Sequence, residues 1–312
     1  MQHFYFSLDS VFPLVVMMLV GYISRICNVL SETTAKKINT CIYRVFLPIL
    51  LYFNIMDTPK DTTTDMLALV YAIVSTLAIF ILLFIFVPKF VKNRNVIGVV
   101  IQAMARSNYA LFGIPLVNSM YPNADTSFAT MMVIAIVPIF NCFSTLALMT
   151  YGKEKPTFLK LAKGIITNPL IVSTVGAYIL WLMGFSLPTL VEAPFRAMGN
   201  IASPLALFAL GASLNLNVVR DNKNLLTYCV LGKIVVVPFI GLGIAVLLGI
   251  NHVELATLIA VFASPTSVSS YAMTQELGGD AQLAGAQVVF TTIFCVITVF
   301  LWIWLFSAIG YL

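Results

Sequence analysis

The chain is expected to be an all-α membrane protein: ten transmembrane helices forming two inverted five-helix repeats, with the fourth and ninth helices broken and crossing. Three observations predict this. Of 312 residues, 60% are apolar and only 9% charged, where a soluble domain carries about 25% charged residues; mean hydropathy is +1.00. The apolar residues fall in runs of about 20 or more, the length a helix needs to cross ~30 Å of hydrocarbon. Finally, matching features recur about 156 residues apart.

The runs read as helices because spanning strands would alternate apolar and polar residues over ~10 positions. Residues 66–87, by contrast, hold no charge and no turn signal. Breaking the chain at its polar clusters gives spans at 10–30, 34–56, 65–88, 95–121, 125–151, 163–184, 193–216, 223–249, 254–277 and 280–309. The first span is long enough to cross and lacks a basic leader and a small-residue cleavage site, so no cleavable signal peptide is expected.

Lysines and arginines set the orientation. Alternate loops hold Arg25, Lys36 and Lys37; Lys89, Lys92 and Arg94; Lys153, Lys155, Lys160 and Lys163; Arg220 and Lys223, which is twelve of the seventeen basic residues. The opposite side holds Lys60 and Arg196. The positive-inside rule therefore predicts a multi-pass protein of the cytoplasmic membrane with both termini outside. The net charge of +5 follows from this asymmetry and gives no reason to expect nucleic acid as a partner.

The repeat is carried by several matches in one order. Pro13 and Pro169 are 156 apart, as are Pro48 and Pro204; Gly21-Tyr22-Ile23 meets Ala177-Tyr178-Ile179, and Asp125 meets Asp280 at 155. Each half, 1–152 and 153–312, holds five spans, an odd number, so the second copy enters the membrane the other way up. Inverted repeats of this kind are common in secondary transporters.

The fourth span contains Arg106, Asn108, Gly113 and Pro115 within ten residues. Arg106 is eleven residues in from the cytoplasmic start, about 16 Å at 1.5 Å per residue, close to the midplane. Proline has no N–H to donate and its ring clashes with the preceding turn, while glycine lets the backbone leave helical geometry cheaply. A helix starting at or near Pro115 is expected, its first turn facing the midplane. The ninth span carries Pro265 among Ser264, Thr266, Ser267, Ser269 and Ser270, and its second half is expected to start at the same depth from the other side. Two helix N-termini would then share a centre, each with roughly half a positive charge and free N–H donors. The alternative for either proline is a simple kink with the freed carbonyl satisfied by serines. Pro13, Pro48, Pro169 and Pro204 lack polar company and read as kinks or helix starts.

Arg106 has no acidic residue at comparable depth. It either complements an anion or reaches backbone carbonyls. Arg44 and Lys233, nearer the cytoplasmic surface by residue count, are expected to snorkel, and Lys233 remains a possible site residue. Asn141 and Gln287 are mid-helix amides able to line the site or to bond between helices. Asp125 and Asp280 read as helix N-caps. The absence of a midplane carboxylate weakens the case for ion coupling. The five cysteines show no ligand spacing and only two histidines exist, His3 and His252. No metal or other cofactor is therefore expected, and with no nucleophile–base pair in view, no enzyme.

At Asn108, Gly113-Ile114-Pro115-Leu116 and Met120-Tyr121, and at Pro265, Val268 and Tyr271-Ala272, the sequence resembles the auxin efflux carrier family, in its short-loop bacterial form. The resemblance implies a scaffold of spans 1, 2, 6 and 7, often a homodimer interface, and a transport domain of spans 3–5 and 8–10. It implies substrates that are small organic anions, either indole acids or mono- and dicarboxylates such as malate and malonate. Asn108 matches the family's substrate-facing asparagine, and Pro115 and Pro265 its crossover prolines. The second crossover departs from the plant pattern in its small hydroxyls, which favours a smaller, more polar acid than auxin.

The expected substrate contacts are thus Arg106, Asn108, Tyr109, Gly113 and Pro115 on one side and Ser264, Pro265, Thr266 and Ser267 on the other. The expected function is alternating-access transport of a small organic anion. The rivals are a sodium- or proton-coupled carrier of related fold and a membrane receptor that binds the anion without moving it.

Overall fold

The computed structural model describes residues 2–60, 65–152 and 157–312, with side chains described from residue 12 onward except 216–218. Lys153 and Lys155, read as cytoplasmic, lie outside the described residues. Every regular element described is a helix. Among the described residues, five helices are long and apolar enough to cross a membrane, namely Glu32–Met56, Met66–Phe90, Ser127–Thr150, Lys223–Leu247 and Ala281–Ala308. Phe158–Ile166 and Pro169–Leu182, bent by 56° between them, make a sixth if taken as one span. The chain is a multi-pass membrane protein.

In chain order the elements are α1 (Gln2–Ile26), α2 (Glu32–Cys41), α3 (Leu47–Met56), α4 (Met66–Phe90), α5 (Arg94–Ala105), α6 (Ile114–Met120), α7 (Ser127–Thr150), α8 (Phe158–Ile166) and α9 (Pro169–Leu182). Then follow α10 (Thr189–Ser213), α11 (Leu216–Asp221), α12 (Lys223–Leu231), α13 (Val237–Leu247), α14 (His252–Ala263), α15 (Ser269–Leu277) and α16 (Ala281–Ala308).

Helix α4 shows how such a sequence folds in lipid. Its buried stripe is Ala68, Ala72, Thr76 and Phe80, spaced by four, while Val70, Val74, Ile81, Leu82 and Ile85 are exposed. Lipid is as apolar as leucine, so large apolar side chains gain nothing by turning inward; small residues go inside because they let helix backbones approach. The capping carboxylate of Asp65 accepts from Ala68 N at 2.9 Å.

Three π-turns have one cause. Ile42–Phe46, Tyr109–Gly113 and Gly232–Val236 each end two residues before a proline: Pro48, Pro115 and Pro238. A proline cannot donate to the carbonyl four residues back and its ring collides with that carbonyl. In each case the residue just before the proline donates five residues back, Leu47 to Ile42, Ile114 to Tyr109 and Val237 to Gly232. The wider turn removes the clash without ending the helix. Pro115 therefore widens a helix already under way, and the helix start expected near it lies earlier, at Tyr109. Of the other prolines, Pro169 opens α9, while Pro13 and Pro204 sit inside α1 and α10.

Close packing rests on glycine where α1 meets α10. A Cβ on Gly211 would lie 1.9 Å from Met18 O, and one on Gly21 would lie 2.0 Å from Phe208 O. The same device joins α5 to α7, where a Cβ on Gly98 would meet Ala147 O at 2.6 Å. Helix α3 packs on α9, α4 on α5, α13 on α14, and α15 on α16.

Basic residues of the predicted cytoplasmic face also cap helix C-termini. Arg25 donates to Ala212 O and Leu214 O at 3.3 and 3.2 Å, and Arg94 to Gly152 O at 3.1 Å and Thr150 O at 2.5 Å. Cations are favoured at such ends. The exposed Arg44 pairs with Glu276 at 3.0 Å and so joins the turn between α2 and α3 to α15. Asp280 caps α16 through Leu283 N at 3.0 Å. Asp125 sits one residue before the Thr126 cap and accepts from Ser127 N at 2.9 Å; the Ser127 side chain, then its backbone, hold that carboxyl below its ordinary value.

Substituting Gly211→Ala should destabilise the protein by about 1–3 kcal/mol through overpacking against α1. Gly243→Ala, where nothing lies within 4 Å of the added Cβ, should be neutral or stabilising by up to about 1 kcal/mol. Thermal unfolding of the two variants in detergent separates these outcomes.

Candidate functional site

The segments expected as the fourth and ninth spans are both broken, and the breaks touch. Helix α5 ends at Ala105 and the chain turns extended at Arg106, with ψ of 123°; α14 ends at Ala263 and turns extended at Ser264, with ψ of 150°. The two extended segments run antiparallel and form a single β-bridge, Ser107 to Thr266. Asn108 N donates to Pro265 O at 2.8 Å. Each chain thus supplies backbone partners that the other's break has orphaned, as burial at this depth demands.

Side-chain hydroxyls complete the exchange. Thr266 Oγ1 donates to Ala103 O at 2.8 Å, at the carbonyl end of α5. Ser107 Oγ donates to Val261 O, near the carbonyl end of α14. Thr266 N donates to Thr291 Oγ1 at 3.1 Å, and Ser264 Oγ returns to Ala260 O within its own helix. Gln102 Nε2 reaches Ser270 O at 3.1 Å and Thr274 Oγ1 at 3.0 Å. These hydrogen bonds hold the crossing together, while Gln102 Oε1 and Ser270 Oγ are buried without a partner.

Beside the crossing lies a cavity of about 50 Å³, room for a few waters or a small polar group. Its wall includes the residues around each helix restart: Tyr109, Ala110 and Leu111, and Ser267, Val268 and Ser269. Both half-helices begin beside this space and place the positive ends of their dipoles there; in the second, Ser270 N and Tyr271 N close the first turn on Ser267 O and Val268 O at 2.9 and 3.2 Å. Arg106, Ser107 and Asn108 line it too, with Asn54 of α3 and Ser203 of α10 opposite.

Arg106 is 4% exposed. Its guanidinium donates to Asn141 Oδ1 at 2.7 Å and Ser269 Oγ at 2.8 Å, and one nitrogen lies 3.8 Å from Met273 S. All three partners are neutral. Asn108 is equally buried and its Nδ2 has no hydrogen-bond partner. Ser203 Oγ is likewise unpartnered.

Of the residues expected at the site, Arg106, Asn108, Tyr109 and Ser267 line the cavity. Tyr109 is anchored by its hydroxyl, which donates to Ala129 O at 2.5 Å. Ser264, Pro265 and Thr266 build the crossing without facing the cavity. Gly113 lies off it, where an added Cβ would meet Ala260 Cβ at 3.0 Å; it lets the second half of the fourth span approach α14. Pro115 is exposed because it lies a full turn beyond the break. Asn141 orients Arg106, and Gln287 is buried on α16 away from the cavity. Lys233 does not snorkel. It is fully buried and donates to Ser107 Oγ and, at 3.3 Å, to Phe262 O.

Ser107, Ser269, Asn54 and Ser203 complete the polar lining beyond the expected set. Ser107 and Ser269 fall inside the quoted breaks. Asn54 is signalled only by being the one amide in the apolar run 47–56, and Ser203 by preceding Pro204. Among the described residues no three His, Cys, Asp or Glu side chains come together to hold a metal ion.

Thr266→Val should cost about 1–3 kcal/mol, because it leaves Ala103 O buried without its donor. Chemical or thermal unfolding measures it, and Thr298→Val, on the exposed side of α16, should stay within about 0.5 kcal/mol.

A family model described as membrane transport protein matches residues 6–160 and 157–303. A protein of Rhizobium meliloti (strain 1021) named "Putative malonate transporter" is 24% identical over 278 residues, 84% of each chain. An uncharacterized transporter of Methanocaldococcus jannaschii is 20% identical over 312 residues, 96% of this chain and 98% of its own. An uncharacterized transporter of Escherichia coli (strain K12) is 22% identical over 310 residues, 96% and 97% of the two chains. With its helices broken and bridged in the membrane and a family match along nearly its whole length, the chain belongs to the membrane transport protein family, that of the auxin efflux carriers.

Proposed function

We propose that this transporter carries a small organic anion, a mono- or dicarboxylate of malonate or malate size, by alternating access around the crossover. The observation that carries the reading is electrostatic. Arg106 and Lys233 are buried at the crossing, and no Asp or Glu is buried among the described residues. Placing an arginine at mid-membrane costs about 2.5–3.5 kcal/mol on insertion scales, and its partners here are neutral. Two half-helix N-termini add to the same positive field. A carboxylate is the species that such a field favours, and Asn108 Nδ2 is a donor left for it. The relative named for malonate supports this choice of anion.

The reading includes ten spans as two inverted repeats. Its support is the packing: α1 on α10 and α9 on α3, α4 on α5 and α13 on α14, α5 on α7 and α15 on α16. Each contact has its counterpart when spans 1–5 are exchanged for 6–10. Spans 1, 2, 6 and 7 would be the scaffold and the homodimer face, and spans 3–5 and 8–10 the moving part, with both termini outside. The cavity lies between the crossing and scaffold residues Leu47, Leu50, Asn54 and Ser203, where sliding of one part against the other would open it to either side. A space of about 430 Å³ beside Tyr43, Arg44, Asn168 and Glu276 suits the cytoplasmic approach. One of about 600 Å³ beside Lys60 and Trp181 suits the outer one.

Asn108→Ala tests the site. Its amide nitrogen bonds nothing in the protein, so the fold loses little, while a hydrogen bond to a charged ligand is worth about 1.5–3 kcal/mol. Uptake of labelled malonate into proteoliposomes at subsaturating substrate should fall by about 10–100-fold with Tm unchanged. Undiminished uptake by a well-folded variant would count against the site, and absence of uptake by the wild type across a panel of carboxylates would count against the function.

A further inference from the structure

Lys233 lies on the π-turn Gly232–Val236, between α12 and α13. It is outside the cavity and reaches the crossing from behind. Its ammonium donates to Phe262 O at 3.3 Å and to Ser107 Oγ, which in turn donates to Val261 O. Val261 and Phe262 are two of the last three residues of α14. The last four carbonyls of a helix have no partner within it and carry the negative end of its dipole.

The two sides of the crossing are unequal in this respect. At the carbonyl end of α5, Ala103 O is met by a neutral hydroxyl, that of Thr266. At the carbonyl end of α14 the corresponding hydroxyl, Ser107, is backed by the side-chain nitrogen of Lys233. Broken helices in secondary carriers commonly place a coupling cation on such carbonyl ends while the N-termini face the anionic substrate. Here a side chain of the protein occupies that position.

We propose that Lys233 is a resident cation of the crossover, filling from within the chain the place a bound monovalent cation would take, so that anion binding needs no co-bound sodium. Lys233 is thus a positioning residue: it neutralises the carbonyl end of α14, fixes Ser107 and through it the bridge to Thr266, and leaves the substrate's charge to Arg106 and the helix N-termini. The inference rests on reading the crossover as the anion site, yet its test requires no substrate.

Thermal unfolding is measured for the purified wild type, Lys233→Ala and Lys233→Met in sodium chloride, in N-methylglucamine chloride, and in ethylammonium chloride. The wild type should show one Tm in all three. Lys233→Ala, which vacates the ammonium's place, should unfold at lower temperature in N-methylglucamine and recover by about 2–4 °C in sodium or ethylammonium. Lys233→Met, which fills the space with an apolar chain, should recover in none. A wild-type Tm that rises in sodium relative to N-methylglucamine overturns the proposal without any variant. So does a Lys233→Ala protein indifferent to all three cations. In liposomes, malonate uptake by Lys233→Ala should become sodium-stimulated by about tenfold, a fold-change near the loss of one charge-assisted contact. Failure of the wild type to take up malonate, with the unfolding results as expected, would refute the choice of substrate and leave the role of Lys233 standing.

Discussion

A helix broken inside a membrane leaves amide and carbonyl groups that lipid cannot satisfy, each at a cost of several kcal/mol. The rest of this structure answers to that constraint. One break alone would need water or a ligand at all times. Two breaks that cross satisfy each other: the Ser107–Thr266 bridge, the Asn108-to-Pro265 hydrogen bond, and the reciprocal reach of Ser107 and Thr266 to carbonyls on the opposite helix. The two restarting turns lie outside this exchange. They face a small cavity lined with Arg106, Asn108 and serines, and the crossing that stabilises the protein is thereby also the source of its field.

Charge within this centre is unbalanced in one direction. Arg106 is held by Asn141 and Ser269, neutral groups that orient a cation without cancelling it, whereas Lys233 lies on the carbonyl end of α14 through Ser107 and Phe262. Stability alone would disfavour such an arrangement, because a buried charge without a counter-charge is costly. The proposed function would account for it: the counter-charge would arrive with the substrate, and the protein would gain affinity from what it lacks when empty.

Much of this was legible in the sequence. Hydropathy marked an all-helical membrane chain, and Arg106, Asn108 and Pro265 marked where two helices break. The break in the fourth span was misplaced because proline was read as the breaking residue. In this protein Pro48, Pro115 and Pro238 each sit two residues beyond a π-turn, which absorbs the proline while the helix continues. The interruption comes from the extended 106–108 segment, whose conformation is fixed by pairing with 264–266, a contact 159 residues away that no local pattern encodes. Lys233 was misread for a related reason. Counting residues along a helix gives the depth of its Cα, whereas the side chain's destination depends on which neighbour lies against that face. Asn54 and Ser203 were hidden because they belong to apolar runs that contribute to the cavity from the scaffold side.

The most direct test of this account is a density map of the protein in a lipid nanodisc with saturating malonate. The account predicts a bound carboxylate at the crossover, within hydrogen-bond reach of the Arg106 guanidinium and Asn108 Nδ2, with the fourth and ninth spans broken at 106–108 and 264–268. Malonate bound elsewhere with the crossover empty, or either span running unbroken through the membrane, would contradict it.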